Sequence, residues 1–387
     1  MKAIHQLATF QNIHSQYQQD QPLQRFLSSF YKQNKQMGSR DRKLASKLLY
    51  NYFRMGDLLK DESPENRLMV AEFLCNNQSS SFLAHFKPEW EANIQLAIAD
   101  KIEIIKKEYP AFDIHTIFPF SEHLSEGLNS EQFELSLLVQ PDLYIRMKRG
   151  AETKIQQLLG EAGILFKAIN SQTLALPNGT KLDQLQLDKG SYEVQDISSQ
   201  KVGTYFKPQK WDKWWDCCAA SGGKALLLYD EQPDIKLLVT DNRDSILTNL
   251  TERFALAGIK DYQKKMLDLT LNPDLFMHDY AFDGIIFDAP CSGSGTWGRT
   301  PEMMAQFEDY KIKFFTELQR KIATNVVKYL KPQKPFIYIT CSVFKEENEE
   351  QVAWLIKTFD LTLESSEMIK GYEAKADTMF VARLIKK

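Results

Sequence analysis

The chain has 387 residues, 43% hydrophobic and 26% charged, with a formal net charge of −3. That is a globular composition, long enough for two or three domains. No apolar run approaches the roughly 20 residues that a spanning helix needs, and MKAIHQLATFQNIHSQYQQDQPL lacks the apolar centre of an export signal. Five cysteines, including the adjacent Cys217 and Cys218, make an odd count and no disulfide framework; they suit a reducing cytoplasm. The six histidines show no metal-ligand spacing with them, so no metal is expected. Charge is uneven: residues 1–60 hold ten Lys/Arg against three Asp. A basic end on an otherwise acidic chain suggests a polyanion contact, although a solvated helix face reads the same way.

Residues 1–135 read as helical, with apolar residues at three-and-four spacing in LQRFLSSFYKQ, KLASKLLYNYFRM and ENRLMVAEFLC. WEANIQLAIADKIEIIKKEYPAF is expected as one further helix stopped by Pro110, and LNSEQFELSLLVQP as another ended by Pro141. Over 136–200 the period changes. DLYIRMKR alternates like a strand, AETKIQQLLGEAG reads as a helix, ILFKAI and TLALPNGT read as strands, and GSYEVQDISSQKVGTYF reads as a connector. That succession predicts a small α+β module.

Over 201–387 strands and helices alternate, which argues for a doubly wound α/β sheet. The strands are WWDCCA, KLLVTD, KKMLD, GIIFDAP and FIYITC; the helices are KALLLYD, SILTNLTERFALAG, MAQFEDYKIKFFTELQRKIATNVVKYL and KEENEEQVAWLIKTF. The tail, LTLE to TMFVARLIKK, has no crossover of helix length and is expected as an antiparallel hairpin edge. Ligands of such sheets sit at the carboxyl ends of the strands, where every motif below falls.

The first of these strands runs into DCCAASGGKALLL. Its glycines permit a tight turn, and the following helix start attracts negative charge, but no polyphosphate signature is present. Asp241 ends the second strand, placed to accept from ribose hydroxyls or to cap a helix; Asp268 ends the third, placed to bond an adenine amine or to cap a turn. The loop and these acids in order read as an S-adenosylmethionine pocket. Cys291 and Cys341 occupy matching places past two strands, Cys291 three residues after Asp288 and Cys341 four before Lys345. Most cysteines are small buried hydrophobes, the reading given to Cys75 and to at least one of Cys217 and Cys218. A methyl donor, a carboxylate and two thiols suggest methylation of cytosine at carbon 5: one thiolate adds at carbon 6, Asp288 bonds the base, and the second thiol helps the product leave.

The motifs DCCAASGGK, VTD, FDAPCSGSG, RTPE, LQRKIA, YITCS with EENE, and YEVQDISSQ resemble the Sun/Fmu (Nop/Sun) family of RNA cytosine-C5 methyltransferases over roughly 140–387. The resemblance implies a Rossmann-like class I S-adenosylmethionine-dependent domain, preceded by a small RRM-like α+β subdomain and a NusB-like or basic RNA-binding helical region. It implies Cys341 as nucleophile and Cys291 as the thiol that assists release, with Asp288 and Lys224 completing the catalytic set. Cofactor contacts are carried onto Cys218, Ala219, Ala220, Ser221, Gly222, Gly223, Lys224, Asp241, Asp268 and Asp288. RNA contacts are expected at Arg40, Arg42, Lys43, Lys47 and Arg299. The expected partner is RNA, ribosomal before transfer RNA, with no membrane, no metal and a monomer favoured; the alternatives are a transfer-RNA methyltransferase and a non-catalytic ribosome-assembly factor on the same fold. Departures from the family are Ser221 for Pro and Ala225 for Thr in the loop, Ile246 for Arg, and Thr378 for Gly. The first is expected to free a stiff turn and weaken the cofactor's hold.

Overall fold

The three-and-four apolar spacing at the start of the chain produces helices at Ala3–Gln16, Leu23–Gln33, Ser39–Arg54 and Pro64–Leu74 in a computed structural model that describes residues 2–387. Ser63 Oγ accepts from the Asn66 amide, and Pro64 takes the first helical position, where a missing N–H leaves nothing unsatisfied. The stretch expected as one helix from Trp90 breaks into Pro88–Glu91 and Ile98–Glu108. At the break, Asn93 turns its side-chain amide back onto the Glu89 carbonyl, a local competitor to helix propagation. Ser130–Leu137 follows, capped by Asn129 on the Gln132 amide. Phe10, Ile13, Leu48, Leu49, Phe73 and Phe82 are buried here.

These helices form one of two compact units: residues up to Glu122, Asn129–Gln140 and Thr296–Glu308. The last segment was expected in the sheet domain. It gathers here because Trp297 packs on Phe118, Phe120 and Phe307, and because Glu302 accepts from the Leu23 amide. The long helix expected from Met304 is accordingly two, Pro301–Ala305 and Tyr310–Val326.

The second unit comprises His123–Leu128, Pro141–Gly295 and Asp309–Lys387. It holds two sheets. In the smaller, β1 (Leu143–Met147), β2 (Lys167–Ala168), β3 (Thr173–Leu176) and β4 (Tyr192–Val194) pair antiparallel in the order β2-β3-β1-β4. Helix Glu152–Glu161 links β1 to β2, whereas only the 3-10 turn Leu182–Gln184 lies between β3 and β4. ILFKAI yields just the two residues of β2, and the expected connector supplies β4 and helix Ile197–Lys201.

The larger sheet contains β5 (Lys213–Asp216), β6 (Lys236–Asp241), β7 (Tyr262–Met266), β8 (Gly284–Asp288), β9 (Pro335–Thr340), β10 (Leu361–Ile369) and β11 (Met379–Lys386). Their order is β10-β11-β9-β8-β5-β6-β7, parallel from β9 through β7, with the tail hairpin antiparallel at one edge. Strands buried on both faces place Trp215, Ile285, Phe287 and Tyr338 in one core, and Trp214, Ile286, Ile337 and Val239 in the other. The chain reverses its winding between β5 and β8, so a crevice opens at their carboxyl ends.

Candidate active site

Strands β5, β8 and β9 end side by side, and their following loops carry the residues singled out above. Past β5 the chain turns sharply: Ala220 has φ 46° and Gly222 φ 84°. A Cβ on Gly222 would lie 2.7 Å from the Phe254 ring, so both the handedness and the space require glycine. The turn delivers Lys224 to the first turn of helix Gly223–Glu231, and its Nζ lies 3.0 Å from Asp288 Oδ2 at the end of β8. Burial alone would lower the Lys224 ammonium, but Asp288, Cys341 and Asp216 more than reverse this, and its pKa rises. The group is a fixed cation facing two of the three loops.

The two sulfurs meet. Cys291 Sγ and Cys341 Sγ are 3.4 Å apart, far beyond a disulfide's roughly 2.05 Å, and both cysteines are free and half-buried. The hydrogen bond with Cys341, then burial, then the charges of Cys341 and Glu347 push the Cys291 thiol well up. A negative sulfur at 341 has Lys224 among its neighbours; one at 291 faces Glu347. The helix expected from Lys345, four residues after Cys341, starts later. It begins at Glu349, with the 3-10 turn Lys345–Glu347 before it, and Lys224 is the cation electrostatically coupled to Cys341.

A buried polar network fixes both cysteine loops. Glu347, fully buried, accepts from the Ser292 amide at 3.0 Å, Ser342 Oγ at 2.9 Å and Gln319 Nε2 at 3.0 Å. Gln319 also donates to the Pro290 carbonyl, and the Tyr338 hydroxyl donates to Gln319 Oε1. Burial raises the Glu347 carboxyl, and those donors offset part of the rise. Gly295 donates to the Cys341 carbonyl and accepts from the Thr378 amide. A Cβ on Gly295 would come within 2.0 Å of the Thr378 carbonyl, so the loops close only on glycine. EENE and LQRKIA marked this network in the sequence, but without roles for Glu347 or Gln319.

Asp216 was also missed. It ends β5 fully buried, with no well-formed hydrogen bond to either carboxylate oxygen. Burial and then Asp288 push its carboxyl up to about 8, against weaker opposition from Lys224 and the Ala225 amide. It is mostly a neutral acid at neutral pH, which leaves Asp288 as the anion nearest Lys224.

Among the expected cofactor contacts, Cys218 is half-buried, whereas Cys217 is buried and raised by that burial, the packing member of the pair. Asp241 ends β6 with both oxygens engaged. Oδ1 accepts from the Arg243 amide and Nε at 3.0 and 2.9 Å; Oδ2 accepts from the Ala220 amide and an Arg243 terminal nitrogen at 3.1 and 3.0 Å. Burial opposes the charge, but Arg243 overrides it and holds the carboxyl low. Asp268 is exposed and accepts from the amide and hydroxyl of Thr270, the turn-capping alternative. The loop at Ser221 is not loose: Arg253 donates to the Ser221 carbonyl and hydroxyl, both at 2.8 Å, and is itself held by Glu193. A long-range guanidinium thus restrains the turn that proline would have stiffened.

The expected RNA residues lie in the helical unit. Arg40 and Lys43 are exposed on helix Ser39–Arg54. Arg42 instead binds the Met37 and Lys35 carbonyls, and Lys47 lies 3.5 Å from the buried Glu72. Arg299 is half-buried within Thr296–Glu308. One of the ten basic residues, Arg54, is fully buried and donates to Leu137, Val139 and Gln140, so its charge belongs to the fold. Among the described residues, no helix is long and apolar enough to cross a membrane.

Comparison with known proteins places this arrangement. Residues 203–385 match the family described as 16S rRNA methyltransferase RsmB/F. Ribosomal RNA small subunit methyltransferase B of Enterobacter sp. (strain 638) is 33% identical over 208 residues, 51% of this chain and 48% of that protein. The chain thus matches about half the length of that curated relative. The crystal structure of PH0851 superposes with TM-score 0.71 at 20% identity, over 94% of each chain. NSun6 from Pyrococcus horikoshii with SFG superposes with TM-score 0.60 at 16% identity, over 69% of this chain and 96% of that one. At these identities the structural likeness establishes the fold alone, a Rossmann-like one.

Proposed function

From the match of residues 203–385 to the family described as 16S rRNA methyltransferase RsmB/F, we propose that the chain methylates carbon 5 of a cytosine in 16S ribosomal RNA, using S-adenosylmethionine. The observation that carries the reading is the pair of free sulfurs 3.4 Å apart, beside the Lys224–Asp288 ion pair.

The loop residues Cys218 to Lys224, with Asp241 and Asp288, have the chemistry to hold the cofactor, Asp241 after one change. Each of its oxygens already takes two donors, so ribose hydroxyls require Arg243 to swing away. The Arg243 side chain is 57% exposed, so that swing is inexpensive. When bound, S-adenosylmethionine supplies an electrophilic methyl group at its sulfonium.

The remaining chemistry belongs to the chain. The Cys341 thiolate adds to carbon 6, forming a C–S bond and turning carbon 5 into an enamine nucleophile. Asp288 accepts from the exocyclic amine, and the Lys224 ammonium offsets the negative charge developing on the ring. Once sulfur 341 is a thioether, its charge no longer opposes ionisation of Cys291, and burial and Glu347 are what remains against it. Cys291 then loses its proton to water and takes the proton from carbon 5; the C6–S bond breaks, the C5–C6 double bond returns, and Cys341 leaves as thiolate. The target base has to be unpaired or flipped out, at a cost of a few kcal/mol. Thiols so close stay reduced in a cytoplasm, where we place the protein.

Incubating the chain with unmodified 16S RNA and methyl-labelled cofactor should put label on cytosine carbon 5. Label on another atom, or none, contradicts the proposal; the same assay with transfer RNA separates the two substrate classes. The bond of Arg243 to Asp241 favours one second reading, a non-catalytic RNA-binding factor. Calorimetry showing RNA binding without S-adenosylmethionine binding would select it.

A further inference from the structure

A cavity of about 630 Å³ opens away from the cysteines, between the smaller sheet and the far end of helix Gly223–Glu231. Leu227 of that helix also lines it, and none of the loop residues 217–224 does; Gln195 bridges the two places, accepting from Arg146 Nε and donating to the Gly223 carbonyl. Its wall includes Arg146 on β1, Lys148 and Arg149 just beyond it, Thr173 on β3, and Gln200 and Lys201 from helix Ile197–Lys201. Two acids, Asp230 and Glu231, also line it.

Arg146 is the unusual element. It is only 8% exposed, its Nε donates to Gln195 Oε1 at 2.9 Å, and one terminal nitrogen pairs with Asp230. The other, Nη2, is buried with no hydrogen-bond partner. A buried guanidinium N–H without an acceptor is costly, and a native fold retains one where something else supplies the acceptor. Around it, Arg149 is exposed, Lys148 donates to the Ala257 carbonyl, and Lys201 pairs at the surface with Glu367. With Asp230 already paired to Arg146, the cations outnumber the acids at the wall. No aromatic side chain lines the cavity, so it offers no platform for a stacked base. What guanidinium and ammonium groups offer is a seat for phosphate oxygens.

We infer that this cavity binds a phosphodiester segment of the RNA substrate, with Arg146 as the buried anchor and Arg149 and Lys201 as the rim; the inference rests on the RNA reading above. Contacts of this kind set position and register rather than read sequence. The site would hold the strand outside the cysteine and cofactor loops, none of whose residues lines the cavity.

The test is fluorescence anisotropy of a single-stranded RNA oligonucleotide with the full chain across 50–200 mM salt, on the order of the range in which phosphate contacts separate. Arg149→Glu combined with Lys201→Ala should weaken binding about tenfold at the low end and flatten the log–log salt slope by roughly 1.4, two contacts at ~0.7 each. Calorimetric affinity for S-adenosylmethionine should not change. Arg146→Gln should weaken RNA further; should it unfold, the rim variant decides. Wild-type affinity and slope in the rim variant overturn the inference. A wild-type chain that binds no RNA overturns the functional reading and this inference with it. Thermal stabilisation by inorganic phosphate that is lost in the rim variant, with RNA affinity unchanged, would make this a free-phosphate site and overturn the RNA assignment.

Discussion

Replacing Asp216 by asparagine isolates the cost of keeping an acid inside the sheet. The carboxyl is fully buried, lacks a well-formed hydrogen bond and is pushed from 3.8 up to about 8. Between those values the folded state keeps a proton that the unfolded state has lost. Stability therefore falls as pH rises through that window, by about 1.4 kcal/mol per unit. Over ~4 units the loss at this position reaches on the order of 5 kcal/mol. A side-chain amide does not titrate, so Asp216→Asn should match the parent near pH 4 and become progressively more stable up to pH 8, levelling beyond it. Urea unfolding of both proteins at several pH values measures the difference, and other titrating groups cancel in the subtraction. A difference that stays constant with pH would refute the reasoning, because it would mean that Asp216 is ionised and compensated in the fold.

Other substitutions probe neighbouring parts of the site. Glu347→Ala removes the acceptor for Ser292, Ser342 and Gln319. It should cost ~2–4 kcal/mol in urea unfolding and reduce methyl transfer while calorimetric cofactor affinity holds; Glu347→Gln should recover most of the stability. Arg243→Ala should free Asp241 and tighten S-adenosylmethionine two- to five-fold in calorimetry, about what an exposed ion pair is worth. Arg253→Ala should loosen the turn at Ser221 and weaken cofactor binding, and Ser221→Pro in that background should restore part of it.

Much of the larger sheet could be read from the sequence because its strands are short, apolar and punctuated. GIIFDAP and FIYITC each end on a chemical residue, and the matching places of Cys291 and Cys341 translate into a sulfur contact only because β8 and β9 are adjacent and parallel. The parts that escaped depend on partners distant in sequence. Arg253 reaches Ser221 across 32 residues and Glu193 across 60. Trp297 leaves its expected domain because Phe118 and Phe120 await it. The orphaned carboxylate of Asp216 follows from burial by β6 and β8 on either side of β5, which a pattern of apolar residues does not report. Asp268 and Arg42, residue types suited to ligands, also hold their own turns, which their place in the sequence does not reveal.

The division of labour between the two sulfurs is the centre of the account, and a denaturing gel tests it directly. Incubated with RNA and S-adenosylmethionine, Cys291→Ala should accumulate a covalent protein–RNA adduct, because addition proceeds and release stalls, whereas Cys341→Ala should form none and transfer no label. An adduct that persists in Cys341→Ala and is absent from Cys291→Ala would contradict the assignment and make sulfur 291 the nucleophile.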